Sequence, residues 1–275
     1  MKKPVRVLCV GGSDSSGGAG IQADLKAVHA CGCYGLSVLT ALTAQNSLGV
    51  HDVFEVNPQF VARQIDVLLS DMGADAIKTG MLLKKGIIEV IAEKIKDYKL
   101  KKVVVDPVMI AKGGYELLED RAKKALIKNL LPLAFVATPN IPEAEYLTKM
   151  KIKSTDHMKK AAEVIFNLGA KSVLIKGGHL PGSKKKGSID ILFDGRNYHE
   201  FHAAWINTKN THGTGCTFAS ALAAFLAQGL GVSDAVESAK LKVTEAIKYS
   251  VKPGSGLGSV NVFGSSELVF LGRNK

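Results

Sequence analysis

Aromatic residues, cysteines and long apolar runs are scarce in this sequence of 275 residues. Aromatic side chains make up 6% of the chain, and there are four cysteines, none in the paired C-x-x-C spacing of zinc sites. So few cysteines argue against a disulfide framework and favour reduced thiols. No uncharged apolar run of about 18 residues occurs, and the N-terminus leads into a strand-like segment rather than a signal peptide. We therefore expect a soluble, cytoplasmic protein without a membrane partner.

Two common nucleotide-binding motifs are also missing. A Walker loop is excluded because no Gly-Lys is followed by Ser or Thr. Residues 18–23 fit the loose G-x-G-x-x-A pattern of dinucleotide-binding folds, but that pattern needs an acidic residue about 20 positions further on for the ribose. Residues 35–51 contain no Asp or Glu, which argues against a dehydrogenase.

The chain has little negative charge, with 25 acidic against 36 basic residues and a formal net charge of +11. The lysines are dispersed along the predicted helices, and the densest run, Lys184 to Lys186, has no aromatic residues interleaved with it. This pattern predicts a solvated basic surface rather than a nucleic-acid partner. A basic field also suits a polyphosphate ligand.

Short β-rich runs alternate with amphipathic helical runs along most of the chain. The predicted strands are 5–11, 35–44, 75–82, 102–109, 135–140 and 172–178. The predicted helices are 19–30, one beginning at Asn57-Pro58, 84–97, 116–130, 155–168, 214–229 and 232–250. Residues 188–206 instead predict an antiparallel hairpin that turns at Asp194-Gly195. The pattern predicts a doubly wound, mostly parallel α/β sheet flanked by helices, in one domain over 1–263 with a C-terminal tail over 264–275.

Polar or glycine-containing segments follow each of the six predicted parallel strands. They are GGSDSSGGAG, Gln45-Asn46, Thr79-Gly80-Met81, Asp106-Pro107, Thr138-Pro139-Asn140 and Lys176-Gly177-Gly178. Ligands of open parallel sheets bind outside the carboxyl ends of the strands. Six such segments together predict a binding site at that edge.

A glycine-rich turn precedes the small, apolar helix 214–229. Gly213, Thr214, Gly215 and Cys216 present successive backbone N–H groups at the start of that helix, and the two glycines let an anion approach closely. We interpret the turn as an anion hole. The alternative is a tight turn with a purely structural role.

Several motifs resemble those of the hydroxymethylpyrimidine/phosphomethylpyrimidine kinases, the thiamine-pathway members of the ribokinase-like superfamily. In chain order they are GGSDSSGGAGIQADLK, ALTAQN, IKTGML, VVDPVMIAKGG, TPNIPEAE, LIKGGH and NTHGTGCTF. The resemblance implies a ribokinase-like fold, a homodimer, and ATP- and Mg²⁺-dependent phosphorylation of 4-amino-5-hydroxymethyl-2-methylpyrimidine and then of its monophosphate. Two alternatives stay open: a pyridoxine/pyridoxal kinase of the same fold, and a non-catalytic vitamin- or nucleotide-binding regulator.

The resemblance also implies roles at the phosphate end of the site. Asp106 and Glu143 match acidic positions that hold Mg²⁺, although a turn cap and a first-turn helix charge are the simpler interpretations. Lys176 is expected to reach the β- and γ-phosphates. The remaining residues expected to contact ATP are Thr211, Thr214 and Lys240, the last of which could equally be a solvated helical lysine.

Cys216 occupies the position where most ribokinase-like enzymes carry an aspartate base. A helix N-terminus lowers the pKa of a thiol, so a thiolate at Cys216 could remove the proton of the substrate hydroxyl. The thiol could also only position that hydroxyl, since a loose transition state needs little help from a base. A third alternative is a cysteine that only packs at the start of the helix. We expect the base, with Gly213 and Gly215 as its catalytic neighbours.

The expected acceptor pocket centres on Gln45, whose amide complements the ring nitrogen and exocyclic amine of an aminopyrimidine. Met81 and Val108 are expected to sandwich the ring, Gly12 to permit close approach, and Asp24 to support the polar side. One segment departs from the family pattern: residues 254–263 read GSGLGSVNVF, where the family has a Gly-His-Gly-Pro-like sequence before Val-Asn-His-Phe. The departure leaves the local C-terminal contacts open.

Overall fold

A nine-stranded sheet organises the described part of the chain. The computed structural model describes residues 3–109 and 117–264. The strands are β1 (Arg6–Asp14), β2 (Tyr34–Asn46), β3 (Gly49–Glu55), β4 (Ala76–Thr79), β5 (Val103–Val105), β6 (Val136–Ala137), β7 (Val173–Ile175), β8 (Ser188–Phe193) and β9 (Tyr198–Ala203). Their order across the sheet is β3-β2-β1-β4-β5-β6-β7-β8-β9. Strands β2, β1, β4, β5, β6 and β7 are parallel, so the predicted fold class is confirmed.

Helices cover both faces of this sheet. They are α1 (Gly20–Ala30), α2 (Pro58–Asp71), α3 (Lys85–Asp97), α4 (Asp120–Ala125), α5 (Ile141–Thr148), α6 (Thr155–Asn167), α7 (Ser183–Lys186), α8 (Thr214–Ala227) and α9 (Val232–Lys248). A π-helical turn, Leu126–Leu130, and a 3₁₀ turn, Leu131–Leu133, follow α4. None of the helices in the described ranges is long and apolar enough to cross a membrane.

The alternation of side chains along the strands builds two hydrophobic cores. In β1, Leu8 and Val10 join a core with residues of α2 to α6, whereas Val7 and Cys9 join a second core with residues of α1, α8 and α9. Successive side chains of a strand point to opposite faces, so a buried parallel strand must be apolar on both. The near-continuous apolar runs in the sequence follow from this burial.

Three features differ from the sequence prediction. Strand β3, which was not predicted, pairs antiparallel with β2, and its side chains are mostly exposed, so the periodicity that marks a buried strand is weak there. Helix α5, also not predicted, begins with a capping box between Asn140 and Glu143. The predicted helix 116–130 divides into α4 and a π-helical turn, and residue 116 lies outside the described residues.

The remaining predicted elements are present. Strands β1 and β2 extend beyond their predicted ends, to Asp14 and Asn46, whereas β4 to β7 are shorter than predicted because the predicted ranges included the polar loop residues that follow them. The predicted hairpin is formed by β8 and β9, and Asp194 accepts hydrogen bonds from the backbone N–H groups of Arg196 and Asn197 in its turn. The predicted tail over 264–275 lies outside the described residues apart from residue 264.

Candidate active site

The carboxyl ends of the central strands and the start of α8 lie together at one edge of the sheet. Gly213 is the N-cap of α8, with φ of 79° and ψ of 1°. A Cβ atom at this position would lie 1.8 Å from the carbonyl oxygen of Gly18, so both the positive φ and the packing require glycine. The first backbone N–H groups of a helix have no partner within it, which leaves the first turn of α8 able to bind an anion.

Gly215 places this helix start beside a buried acid and a lysine. A Cβ atom at Gly215 would lie 3.7 Å from both Asp106 Oδ2 and Lys176 Nζ. Asp106 Oδ1 accepts a hydrogen bond from Lys176 Nζ at 2.8 Å and one from Thr138 Oγ1 at 3.1 Å. The structure thus brings the predicted anion hole, acid and lysine together, and a side chain at position 215 would occupy the space between them.

The charges around Lys176 favour its ammonium form. Desolvation alone would lower the pKa of Lys176, but the carboxylates of Asp106 and Glu143 outweigh desolvation and raise it. A cation fixed at the start of a helix supplies a second positive element for a phosphate group. This arrangement can hold the anionic end of a nucleotide.

Glu143 is buried in the first turn of α5. Its side chain accepts a hydrogen bond from the backbone N–H of Asn140 at 2.8 Å, while Asn140 Oδ1 accepts from the backbone N–H of Glu143 at 3.0 Å. Burial raises the pKa of Glu143 to about 7, with Lys176 opposing the rise and Asp106 adding to it. The side chain therefore caps its helix, as the simpler sequence interpretation held, and also lies within the electrostatic reach of Asp106 and Lys176.

A buried ion pair beneath the site was missed in the sequence. Lys78 and Asp24 are both 0% exposed, and Lys78 Nζ lies 2.8 and 2.9 Å from the two carboxylate oxygens of Asp24. Ser220 also donates to Asp24, at 2.8 Å. Asp24 is therefore engaged by Lys78 and Ser220, and its support of the polar side of the acceptor pocket stays a prediction. The signal for the pair was a lysine within the otherwise apolar strand of the IKTGML motif.

The thiol of Cys216 does not have the lowered pKa that the sequence suggested. Desolvation raises the pKa of Cys216 to about 11; Lys78 and the backbone N–H of Gly20 oppose the rise, whereas the negative charges of Asp24 and Asp106 add to it. The helix N-terminus alone was too simple a guide, because two buried carboxylates lie nearby. At neutral pH the side chain is a thiol, which favours positioning over base catalysis.

Lys240 forms a buried ion pair with Asp190. Its Nζ lies 2.7 Å from Asp190 Oδ2, and Asp190 Oδ1 accepts from the backbone N–H of Gly177 at 2.8 Å. This ion pair supports the loop after Lys176, and the expected contact of Lys240 with ATP stays a prediction. The carbonyl oxygen of Thr211 accepts from Thr214 Oγ1 at 2.7 Å, so these two residues shape the turn into α8.

The residues expected to bind the acceptor lie in β1 and β2 and in the segments that follow β4 and β5. Gln45 exchanges two backbone hydrogen bonds with Ser15 Oγ, at 2.7 and 2.8 Å. A Cβ atom at Gly12 would lie 2.3 Å from Met81 Cε, so the missing side chain makes room for the methionine. Val108 is half-buried just after Asp106.

His212, also missed in the sequence, connects the acceptor side to the anion hole. Its Nε2 lies 3.3 Å from Gln45 Nε2 and 2.9 Å from Asp14 Oδ2, and Gly213 follows it directly. The signal was a histidine next to the Gly-Thr-Gly turn. The GSGLGSVNVF segment backs this region, because the N–H of His212 donates to Gly258 O at 3.1 Å and the N–H of Leu257 donates to Ser47 O at 2.9 Å.

Known proteins share this fold and are similar to the chain in sequence. A crystal structure of an ADP complex of Bacillus subtilis pyridoxal kinase superposes with a TM-score of 0.87 at 39% identity, covering 95% of this chain and 98% of that chain. The fold and the site thus define a ribokinase-like small-molecule kinase. Residues 14–261 match the phosphomethylpyrimidine kinase family model, and the chain belongs to that family.

Two curated relatives agree with this assignment. The chain is 48% identical over 258 residues to the hydroxymethylpyrimidine/phosphomethylpyrimidine kinase of Bacillus subtilis, covering 94% of each. It is 52% identical over 255 residues to the thiamine biosynthesis bifunctional protein ThiED of Geobacter sulfurreducens, covering 93% of this chain and 51% of that protein. The chain thus spans about half the length of the bifunctional relative. The family predicted from the motifs is confirmed.

Proposed function

We propose that the protein uses ATP to phosphorylate the hydroxymethyl group of 4-amino-5-hydroxymethyl-2-methylpyrimidine and then phosphorylates the monophosphate to the diphosphate, in thiamine biosynthesis. The observation that carries this proposal is the position of Gln45. Its amide, suited to an aminopyrimidine edge, contacts His212, the residue directly before the anion hole. A ring bound at Gln45 therefore lies beside the place where a phosphoryl group is held.

The protein's own groups account for most of the reaction by positioning and charge. The first turn of α8 and the ammonium of Lys176 bind and orient the transferring phosphoryl group, and both act without moving. Cys216, as a thiol, hydrogen-bonds the acceptor hydroxyl at the same helix start. Because the transition state of phosphoryl transfer is loose, the hydroxyl can release its proton late.

The acidic residues suit a magnesium ion. Mg²⁺ retains several waters and needs only one or two carboxylates besides phosphate oxygens. Asp106 directs Oδ2 towards Gly215, and Glu143 is a buried carboxyl close enough to interact with Lys176. In this proposal Asp106 and Glu143 hold the ion directly or through water, and the bound ion neutralises phosphate charge.

The pyridoxal kinase relative gives a specific reason to test a second acceptor, since that protein shares the fold at 39% identity. The test is to incubate the protein with ATP, Mg²⁺ and each alcohol separately and to identify the products by mass spectrometry. Mono- and diphosphate from the aminopyrimidine support the proposal. Pyridoxal phosphate alone would replace it with the second activity, and no product from either alcohol would favour a non-catalytic binding protein.

We further propose that the protein is a cytoplasmic homodimer. Strand β3 is an edge strand, and large apolar side chains within it or next to it in the chain are exposed: Leu48 by 68%, Phe54 by 70% and Phe60 by 60%. Apolar surface of this kind suits a second copy of the chain. Light scattering should give twice the mass of the chain, and Phe54→Glu should shift the protein towards monomer; a monomeric wild type would contradict the dimer.

A further inference from the structure

One nitrogen of His212 lies close to both a hydrogen-bond acceptor and a hydrogen-bond donor. Its Nε2 lies 2.9 Å from Asp14 Oδ2, a hydrogen-bond acceptor, and 3.3 Å from the amide nitrogen of Gln45, a donor. A ring nitrogen carries either a hydrogen or a lone pair, so it cannot donate to the carboxylate and accept from the amide nitrogen at once. One of the two contacts must have the opposite polarity.

The surroundings of Asp14 decide which contact this is. Asp14 Oδ1 accepts from Ser16 N at 2.8 Å and from Ser16 Oγ at 2.7 Å, and Oδ2 accepts from Ala19 N at 2.8 Å. Burial alone would raise the pKa of Asp14, but the hydrogen bonds from His212, Ser16 and Ala19 lower it to about 2. The carboxylate is therefore ionised, and His212 Nε2 carries the hydrogen that it donates to Asp14.

It follows that the oxygen of the Gln45 amide, not its nitrogen, faces His212. The two ends of an amide have nearly the same shape, so the surrounding hydrogen bonds decide its orientation. The amide end away from His212 lies 3.3 Å from Thr43 Oγ1, and that hydroxyl donates its own hydrogen to Ser13 O at 2.8 Å. The hydroxyl can therefore accept from the amide NH₂. The single Nε2–H of His212 is shared, as a three-centre hydrogen bond, between Asp14 Oδ2 at 2.9 Å and the amide oxygen at 3.3 Å.

We propose that Asp14 and His212 are positioning residues that hold the Gln45 amide with its oxygen towards His212 and its NH₂ towards Thr43. The inference rests on the proposed function, because it assigns the direction in which the aminopyrimidine binds. The ring nitrogen N3, the 4-amino group and the 5-hydroxymethyl group follow one another along one side of the pyrimidine. With the amino group donating to the amide oxygen, the hydroxymethyl group lies on the His212 side, towards Gly213.

The opposite amide orientation would reverse the ring. The 4-amino group would then face Thr43, and the hydroxymethyl group would point away from the anion hole. The position of the reacting group is thus an independent reason for the same amide orientation. The imidazole is itself held in place, because a Cβ atom at Gly18 would lie 2.5 Å from His212 Cδ2.

The test compares His212→Leu, which removes the donor, with His212→Gln, whose amide N–H groups can serve both Asp14 and Gln45. His212→Leu should raise KM for the aminopyrimidine about tenfold, the usual scale for one or two lost hydrogen bonds, with a smaller effect on kcat. His212→Gln should stay within about threefold of wild type. Asp14→Asn should behave like His212→Leu. Asp194→Asn is the matched control, since it alters another turn-capping Asp–His contact of 2.9 Å and should leave KM unchanged.

A spectroscopic measurement decides the inference without any turnover. In ¹⁵N spectra, the imidazole signal of His212 is identified as the one that is absent from His212→Gln. In the wild type this signal should show a protonated Nε2. A bare Nε2, or a folded His212→Leu with wild-type KM, would overturn the proposal. If the wild type phosphorylates no aminopyrimidine, the proposed function fails, whereas the Nε2 signal still decides how the amide is held. Thermal unfolding of each variant separates loss of fold from loss of positioning. If His212→Leu does not fold, the KM of Asp14→Asn and the Nε2 signal test the proposal.

Discussion

Removing the ammonium of Lys78 should destabilise the protein strongly. Lys78 is fully buried, and its Nζ donates to the two carboxylate oxygens of Asp24, at 2.8 and 2.9 Å. Lys78→Met keeps most of the side-chain volume but leaves Asp24 buried with Ser220 alone. Losing one partner of a buried ion pair costs about 3–5 kcal/mol, because a buried charge remains uncompensated. That is a large share of a typical folding free energy of about 5–15 kcal/mol.

The loss should depend on pH in a defined direction. Burial already raises the pKa of Asp24 with Lys78 present, and removing the lysine removes the main opposing charge. The folded variant then keeps a proton on Asp24 that the unfolded chain releases above about pH 4. Because the folded state binds more protons, the variant should become more stable as the pH falls from 8 towards 5.

Urea unfolding followed by circular dichroism measures this loss. The double variant Asp24→Asn/Lys78→Met should recover most of the stability, because no charge is left buried. Lys94→Met is the control: it breaks a 2.8 Å pair with Asp66 whose side chains are 18% and 40% exposed, and it should cost less than about 1 kcal/mol. A Lys78→Met protein within about 1 kcal/mol of wild type at pH 7.5 would refute the reasoning.

Three further predictions concern the site itself. Gln45→Met should raise KM for the aminopyrimidine at least tenfold but change KM for pyridoxal little, because about 1–3 kcal/mol is lost for each ligand group left unpaired. Steady-state kinetics with both alcohols measure this difference. An unchanged KM for the aminopyrimidine would show that Gln45 does not bind the ring. Lys176→Ala should lower kcat for both phosphorylation steps alike, by about 10²-fold or more. Single-turnover product analysis measures each step. A loss in one step alone would show that the lysine binds the acceptor instead. Cys216→Ser should retain most of kcat. A pH–rate profile should show no titration near 8.5, since the pKa of the thiol is raised to about 11. A hundredfold loss of kcat in the serine variant would instead support Cys216 as the catalytic base.

Features set by neighbouring residues could be predicted from the sequence. Apolar runs separated by helical periods specified the parallel sheet, since each strand is buried on both faces. The Gly-Thr-Gly turn identified the start of α8, because a positive φ and a close approach to Gly18 require glycine at position 213. The segments after each strand indicated which edge of the sheet carries the site, and Asp106 and Lys176 meet there. Strand β3 escaped prediction because its exposed side chains give no burial period.

The charge state and orientation of the site residues were decided only by the tertiary structure. Asp24 and Lys78 are 54 residues apart in the chain, and Asp14 and His212 are 198 apart, so no local pattern could pair them. The pKa of Cys216 depends on how completely it is desolvated and on which charges lie near it, and these conditions outweighed its position at a helix start. Lys240 pairs with Asp190, which is 50 residues away in the chain, so no local pattern could predict this contact either. Desolvation and Coulomb interactions depend on distances in space, whereas helix starts and glycine turns depend on neighbours in sequence.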